Sequence, residues 1–291
     1  MPSSFLSTPP ELHVLRRAFI LGQGAEVRAI LDRLEMRLRR GAVTLLGPLA
    51  PDTSLCELYR RRGVLEGAAE EYRAPTHTVV VPLTGLPKAC LRKWKESGHE
   101  LLDLTLPAVK RAQTSLGLLS LEHGKPVVIG WRDSAEAAAI AGEVSGTVVV
   151  EDPEQASLLP FAPKFGLVCQ TTFSRRRAHA VAEAIGLRHP DSRLVFLDTT
   201  TPAMLERERS VEGLSRWAEA IIVAGEAGES SVRALLDASR RLGLPAHAVA
   251  DAGLLDPKEF AGIGRIGLTA GEFSPDAVLD AIEGRLQTER D

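Results

Sequence analysis

Gly124-Lys125-Pro126-Val127-Val128-Ile129-Gly130 is the stretch on which the fold class turns. Three β-branched residues follow a proline and are closed by a glycine, which reads as a short strand buried on both faces, as in parallel sheets. Helix-period stretches flank it at Pro107–Leu121 and Ala135–Ile140, and a comparable phrase returns around Ala220–Gly225. A strand, a turn and a helix in repeated succession indicate an α/β fold with mostly parallel sheets.

Worked outward, the same rhythm covers the chain. Strands are expected at Ala18–Leu21, Val43–Leu46, Thr78–Val81, Glu100–Leu104, Pro126–Ile129, Thr147–Val150, Leu167–Gln170, Leu194–Leu197, Ala220–Val223, Ala246–Val249 and Arg265–Leu268. Helices are expected at Ala25–Arg39, Pro87–Lys95, Pro107–Leu121, Ala135–Ile140, Arg175–Ile185 and Ser230–Leu242. In the first of these, Val27, Ile30, Leu31, Leu34 and Leu38 share one face at helical spacing. Pro107 opens its helix at the position where a missing N–H costs nothing. Comparable positions recur at about ninety residues, which divides the chain into similar modules rather than one large sheet. The division expected is a flexible leader at 1–15, α/β modules at 16–105 and 106–197, and a third at 198–291 ending in a helix.

Composition narrows the function classes. The 291 residues are 44% hydrophobic and 25% charged but only 4% aromatic, so aliphatic side chains must fill an ordinary globular core. A net charge of −3 gives no basic face for nucleic acid, and the run Arg175-Arg176-Arg177 reads first as a solvated helix face. No apolar run reaches the ~18 residues of a membrane helix, and the N-terminus is no signal peptide. Three scattered cysteines, Cys56, Cys90 and Cys169, suit reduced thiols and a cytoplasmic setting. The histidines show no metal-ligand spacing, and Gly22-x-Gly24 lacks the third glycine of a dinucleotide fingerprint, Val27 standing there.

Several phrases, in order, resemble the 4-hydroxy-3-methylbut-2-enyl diphosphate reductase (LytB/IspH) family. They are Gly22-Gln23-Gly24-Ala25-Glu26-Val27-Arg28-Ala29-Ile30, Gly47-Pro48-Leu49, Asp103-Leu104-Thr105-Leu106-Pro107, Gln170-Thr171-Thr172-Phe173-Ser174, Asp198-Thr199-Thr200-Thr201 and Gly267-Leu268-Thr269-Ala270-Gly271. The resemblance implies three α/β modules around a pseudo-threefold axis enclosing a central cavity, each module giving one cysteine to a [4Fe–4S] cluster. The positions that match those cysteines read Gln23 (Gly24 with a one-residue slip), Leu106 and Thr201, none of which offers a thiolate. The family's cavity histidines match Pro51 and Thr84, with a further histidine region reading Trp131-Arg132-Asp133-Ser134. Its phosphate clamp matches Gly225-Glu226-Ala227-Gly228-Glu229, and a terminal serine matches Phe273.

What persists is Glu136, where the family places a proton-donating glutamate, and the polar wall Gln170-Thr171-Thr172. A carboxyl group sheltered from water has a raised pKa and can exchange protons near neutral pH. The simpler reading of Glu136 is a helix N-terminal carboxylate, and of the threonines a helix cap. Taken together these residues lead to the expectation of a cluster-free lyase or isomerase with no cofactor. It would perform elimination, isomerisation, hydration or cyclisation on a small polar substrate in the cavity, in specialised metabolism. In that expectation Glu136 moves the proton while Gln170, Thr171, Thr172 and Arg132 orient the ligand. A non-catalytic ligand-binding or scaffold protein is the alternative. The expected partner is a small molecule, with no nucleic acid and no membrane, and a homodimer is left open. Cys169 reads as a small buried hydrophobe, and Asp198, Glu226 and Glu229 as surface groups rather than metal ligands.

Overall fold

The computed structural model describes residues 14–18, 24–121, 124–260 and 262–288. Chain order runs β1 (Val14–Arg17), α1 (Ala25–Leu38), β2 (Val43–Leu46), α2 (Thr53–Arg61), β3 (Val64–Gly67), β4 (Thr78–Val81), α3 (Lys88–Glu96) and β5 (Glu100–Asp103). The middle of the chain gives α4 (Pro107–Ser120), β6 (Lys125–Ile129), α5 (Ala135–Ala141), β7 (Val148–Val150), α6 (Pro153–Ser157), β8 (Lys164–Cys169), α7 (Arg175–Arg188) and β9 (Arg193–Leu197). The last part gives α8 (Pro202–Ser215), β10 (Ala220–Ala224), α9 (Ser230–Arg241), β11 (Ala246–Val249), β12 (Arg265–Ala270) and α10 (Asp276–Thr288).

The described strands form three four-stranded sheets, ordered β3-β2-β4-β5, β7-β6-β8-β9 and β11-β10-β12-β1. Every pairing is parallel. Read from the first strand of each module, the three orders are the same, with one difference of connectivity. The fourth strand of the third sheet is β1, from the start of the chain, with Val14 opposite Arg265 and Arg17 opposite Leu268. The N-terminal stretch therefore completes the third module instead of leading into the first. The expected strand Ala18–Leu21 falls mostly outside the described residues.

Parallel strands covered on both faces should be apolar throughout, and β2, β4, β8 and β10 are buried along their whole length. Three helices of 14 residues, α1, α4 and α8, each lead into the first strand of a sheet. Val27, Ile30, Leu31 and Leu34 of α1 pack in one core with Val109, Ala112 and Leu116 of α4. That core also holds Val128, Val168 and Phe273, so it bridges modules instead of closing within one. Besides β1, which lies before the expected Ala18–Leu21, one further strand was not expected, β3. It lies at a sheet edge with only Val64 buried, so it lacks the apolar run that marks central strands.

No helix among the described residues is long and apolar enough to cross a membrane.

Candidate active site

Glu136 sits in the first turn of α5, just beyond the C-terminal end of β6. Ser134 caps that helix, its side chain accepting from the N–H of Ala137. The neighbouring strand β8 ends at Cys169 and releases Gln170-Thr171-Thr172 at the same edge, where ligands collect in parallel α/β sheets. Gln170 ties the two loops together. Its Oε1 accepts from the N–H of Trp131 at 3.0 Å, and its Nε2 donates to Ser134 Oγ at 2.9 Å. Gly130 permits this, because a Cβ there would lie 2.8 Å from the Gln170 Cβ.

Glu136 is 3% exposed. Its Oε1 accepts from the Thr171 N–H at 2.7 Å and from Thr171 Oγ1 at 2.6 Å, and Oε2 from Thr172 Oγ1 at 3.5 Å. Burial pushes its pKa up, and the hydrogen bonds from Thr171, Gln170 and Thr172 only partly offset this. The group is thus fixed in place and holds its proton further up the pH scale than an exposed glutamate.

A cavity of about 560 Å³ opens beside it, at the junction of the three modules. Glu136, Gln170 and Thr172 line its polar side, while Leu46, Leu86 and Phe273 are among its apolar walls. Thr171 is buried behind Glu136 and supports the carboxyl rather than facing the cavity. Arg132 is corrected by the structure: it is exposed, lies outside the lining, and its N–H donates to Glu151 Oε1 at 2.8 Å. The loop from 131 to 134 turns this side chain outward while presenting Asp133 and Ser134 to the cavity.

A second buried polar cluster closes the far side. Glu229 is the N-cap of α9 and 1% exposed, contrary to the expectation of a surface group. Its Oε1 accepts from Ser231 Oγ and from the N–H groups of Glu272 at 3.0 Å and Phe273 at 3.4 Å. Burial pushes this carboxyl up to about 8, with repulsion from Asp52 and Glu272 adding to the rise. Glu272 is pushed up to about 7 by burial, against the attraction of Arg207. Asp52 caps α2 by accepting from the Leu55 N–H at 2.8 Å, and its Oδ2 accepts from Ser274 Oγ at 3.0 Å. Sequence reading placed Glu229 near a phosphate clamp but missed Asp52, Glu272 and the burial of Arg207. Only the glycines in the turns after β10 and β12 hint at close packing there: a Cβ at Gly271 would lie 2.8 Å from both Glu229 oxygens.

The [4Fe–4S] cluster that the family resemblance implies needs three thiolate donors at matching points of the modules. Gly24, Leu106 and Thr201 are the N-caps of α1, α4 and α8, three equivalent points of the modules; Gln23 lies outside the described residues. Leu106 is packed in the apolar core, and Thr201 Oγ1 is spent accepting from the Met204 N–H at 3.1 Å. The thiols stand apart from these points, on α2, α3 and the end of β8, and burial pushes all three up, against thiolate formation. Among the described residues no group of three or more His, Cys, Asp or Glu is placed to hold a metal. These residues do not fit that cluster.

Comparison with known proteins places the chain. A protein from Treponema denticola named 4-hydroxy-3-methylbut-2-enyl diphosphate reductase is 26% identical over 289 residues, covering 94% of this chain and 99% of that protein. A protein of the same name from Anaeromyxobacter sp. is 29% identical over 249 residues, covering 85% and 87%. The structure of the E-1-hydroxy-2-methyl-but-2-enyl-4-diphosphate reductase from Plasmodium falciparum superposes with a TM-score of 0.84 at 17% identity, covering 94% of this chain and 87% of that one. These findings correct the expected function. The relatives are named reductases, and nothing in them supports a cluster-free, non-redox lyase or isomerase, a role in specialised metabolism, or a non-catalytic scaffold. A profile described as LytB protein matches residues 22–287, nearly the whole chain, and this chain belongs to that family.

Proposed function

We propose that the central cavity is a substrate site for a small hydroxyl-bearing molecule. In this reading the chain acts in the reductase class for which its relatives are named, and Glu136 supplies the proton. The observation that carries the reading is the Glu136 carboxyl, buried, held by Thr171 and facing a cavity of about 560 Å³. Glu136 carrying its proton can protonate a departing hydroxyl, which leaves as water when the C–O bond breaks, while the two electrons and the second proton of the new C–H bond come from an external low-potential electron donor and from solvent. Thr172 and Gln170 hold the ligand's oxygen near Glu136, and the apolar walls exclude bulk water from the carbon skeleton. Thr171, bonded through both its N–H and its hydroxyl, fixes the carboxyl's orientation so that its proton points one way.

The test uses 4-hydroxy-3-methylbut-2-enyl diphosphate and its dephosphorylated diol, with chemically reduced methyl viologen as electron donor and products read by mass spectrometry. The wild type is expected to remove the hydroxyl from one of them. Glu136→Gln keeps the size and loses the transferable proton, so kcat should fall by about 10²–10⁴ while Kd shifts far less. Turnover by Glu136→Gln at the wild-type rate would overturn the reading.

A further inference from the structure

The run Arg175-Arg176-Arg177 opens α7, and the structure divides its side chains between two tasks. Arg175 Nε pairs with Asp198 at 2.6 Å. Arg176 and Arg177 instead line a groove of about 580 Å³ that shares no lining residue with the central cavity. Arg240 and Arg241, in the last turn of α9, border the same space, so guanidiniums of the second and third modules meet there. Four arginines share the groove with two carboxylates, Asp152 and Asp237.

Those carboxylates leave much of the positive charge unanswered. Asp152 is occupied at the N-cap of α6, its Oδ1 accepting from the Gln155 N–H at 2.8 Å. Asp237 stands 3.4 Å from Arg177 Nη1 and 3.8 Å from Arg240 Nη1, both long for a charge-assisted hydrogen bond. Among the described residues Arg176 and Arg241 make no ion pair or hydrogen bond, although the Glu208 carboxyl attracts Arg241 from a distance. Arg177 is already fixed in place. Its Nε donates to the carbonyl of Glu151 at 2.9 Å, and its guanidinium lies 4.6 Å from the centre of the Trp131 ring. A planar fork held in this way loses little freedom when an anion arrives. The helix dipole accounts for Arg240 and Arg241 at a C-terminal turn but opposes Arg176 and Arg177 at an N-terminal one. No acidic residue in the first turn of α7 relieves that conflict.

From this arrangement we infer that the groove between α7 and α9 binds a small polyanion carrying two or more phosphate groups, at a site separate from the substrate cavity. Guanidinium forks match phosphate oxygens, and a pair from each module serves more than one phosphate. The groove has the volume of a small-molecule pocket, and its concave shape concentrates the field of the arginines. Asp152 and Asp237 within it would repel the continuous backbone of a nucleic acid. None of its lining residues is aromatic, so no base is stacked and recognition rests on the phosphates. The bound anion bridges α7 of the second module to α9 of the third.

Isothermal titration of the full chain with inorganic diphosphate, in about 0.15 M chloride to screen loose surface attraction, tests the site. The comparison is with the double variant Arg176→Gln/Arg241→Gln. Both side chains are exposed, so the fold is retained. The double variant should lose one bound equivalent, or bind it at least about tenfold more weakly than the wild type. Asp237→Asn removes the carboxylate that competes for Arg177 and Arg240, and should tighten binding several-fold. Adenosine diphosphate separates an esterified ligand from the free anion, and its binding should show the same dependence on Arg176 and Arg241. Identical isotherms for the wild type and the double variant, two flat ones included, would overturn the inference. So would a single-stranded oligonucleotide that outbinds diphosphate and is weakened by the same pair of substitutions, since that would mark a nucleic-acid face.

Discussion

Replacing Arg207 with methionine is expected to lower stability by about 3–5 kcal/mol at pH 7.5, read as a shift in the urea midpoint at unchanged slope. Arg207 lies on α8 and is 1% exposed, among the largest fully buried side chains of the chain. Its Nη1 donates to the carbonyl of Ala270 at 2.9 Å, pinning α8 to the end of β12. Burial alone pulls the guanidinium's pKa down, and Glu272, Glu229 and Asp276 oppose that fall. Methionine fills much of the same volume, so the loss would not come from a cavity. It would come from carboxyl groups left without their cation in a site closed to water. The cost should therefore shrink towards pH 5, where Glu272 and Glu229 carry protons in the folded protein and need no counter-charge. A loss that stays the same at pH 5 and pH 7.5 would assign the effect to packing and to the Ala270 bond instead. Arg207→Lys separates these further, since it keeps the charge and gives up the planar reach to that carbonyl.

This cluster was the least legible part of the sequence, and the reason is physical. Burial on both faces writes itself into a strand as a largely apolar run, so Val43–Leu46 and Thr78–Val81 coincide with observed strands. A helix packed on one face writes a 3.6-residue period, which located α1 and α4. In β3, Val64-Leu65-Glu66-Gly67, a glutamate and a glycine break the apolar run and only Val64 is buried, hence the miss. Nor can periodicity say which sheet a strand joins, and β1 crosses the whole chain to pair with β12. Side-chain pairings between modules have no local signature at all. Asp133 and Arg233 are 100 residues apart, and Asp52 meets Ser274 across 222. Glutamates in a glycine-rich turn look like surface groups, and only the closing of the third module over Glu229 makes one of them a buried cap.

Glu136 and its wall were singled out by the family resemblance, and the structure places them where strands β6 and β8 end side by side. The phrase Gln170-Thr171-Thr172 then had to fall near the loop after β6. Arg132 belonged to the same loop, yet its side chain faces outward, a distinction of one residue that no periodicity resolves in a turn. The disagreement between the reductase names of the relatives and the donor set of this chain is of another kind. It rests on residue identities at three helix N-caps, two of which the structure confirms as an apolar core residue and a hydroxyl already used in capping.

Raising the pH from 5 to 8 is expected to destabilise the wild type steadily, and Glu229→Gln should remove much of that loss. The sign follows from the direction of the shifts. Glu229 and Glu272 are raised from 4.5 in the unfolded chain to about 8 and about 7 in the folded protein. Below pH 4.5 both states hold these protons, and the two groups leave stability untouched. Between 4.5 and the folded values the unfolded chain gives up its protons while the folded protein keeps them, so each unit of pH favours unfolding. The slope for one such proton is at most about 1.4 kcal/mol per pH unit. Glu272 stops contributing near pH 7 and Glu229 near pH 8, so the decline should flatten above pH 8. Asp103 and Asp198, held low by Lys110 and Thr200 respectively against the cost of their burial, act in the other direction. Their contribution is lost only as the pH falls through their own values, below about 4, so the stability maximum should lie near pH 5. Glutamine at 229 retains an oxygen for the N–H groups of Glu272 and Phe273 and has no proton to lose. Urea midpoints at half-unit steps from pH 4.5 to 9 should give the variant a shallower decline and a crossing point, above which it is the more stable protein. Parallel curves for the two proteins across pH 5–8 would show that Glu229 is ionised in the folded state throughout, and would assign the slope to the other carboxyls that burial raises, Glu272 and Glu136 among them.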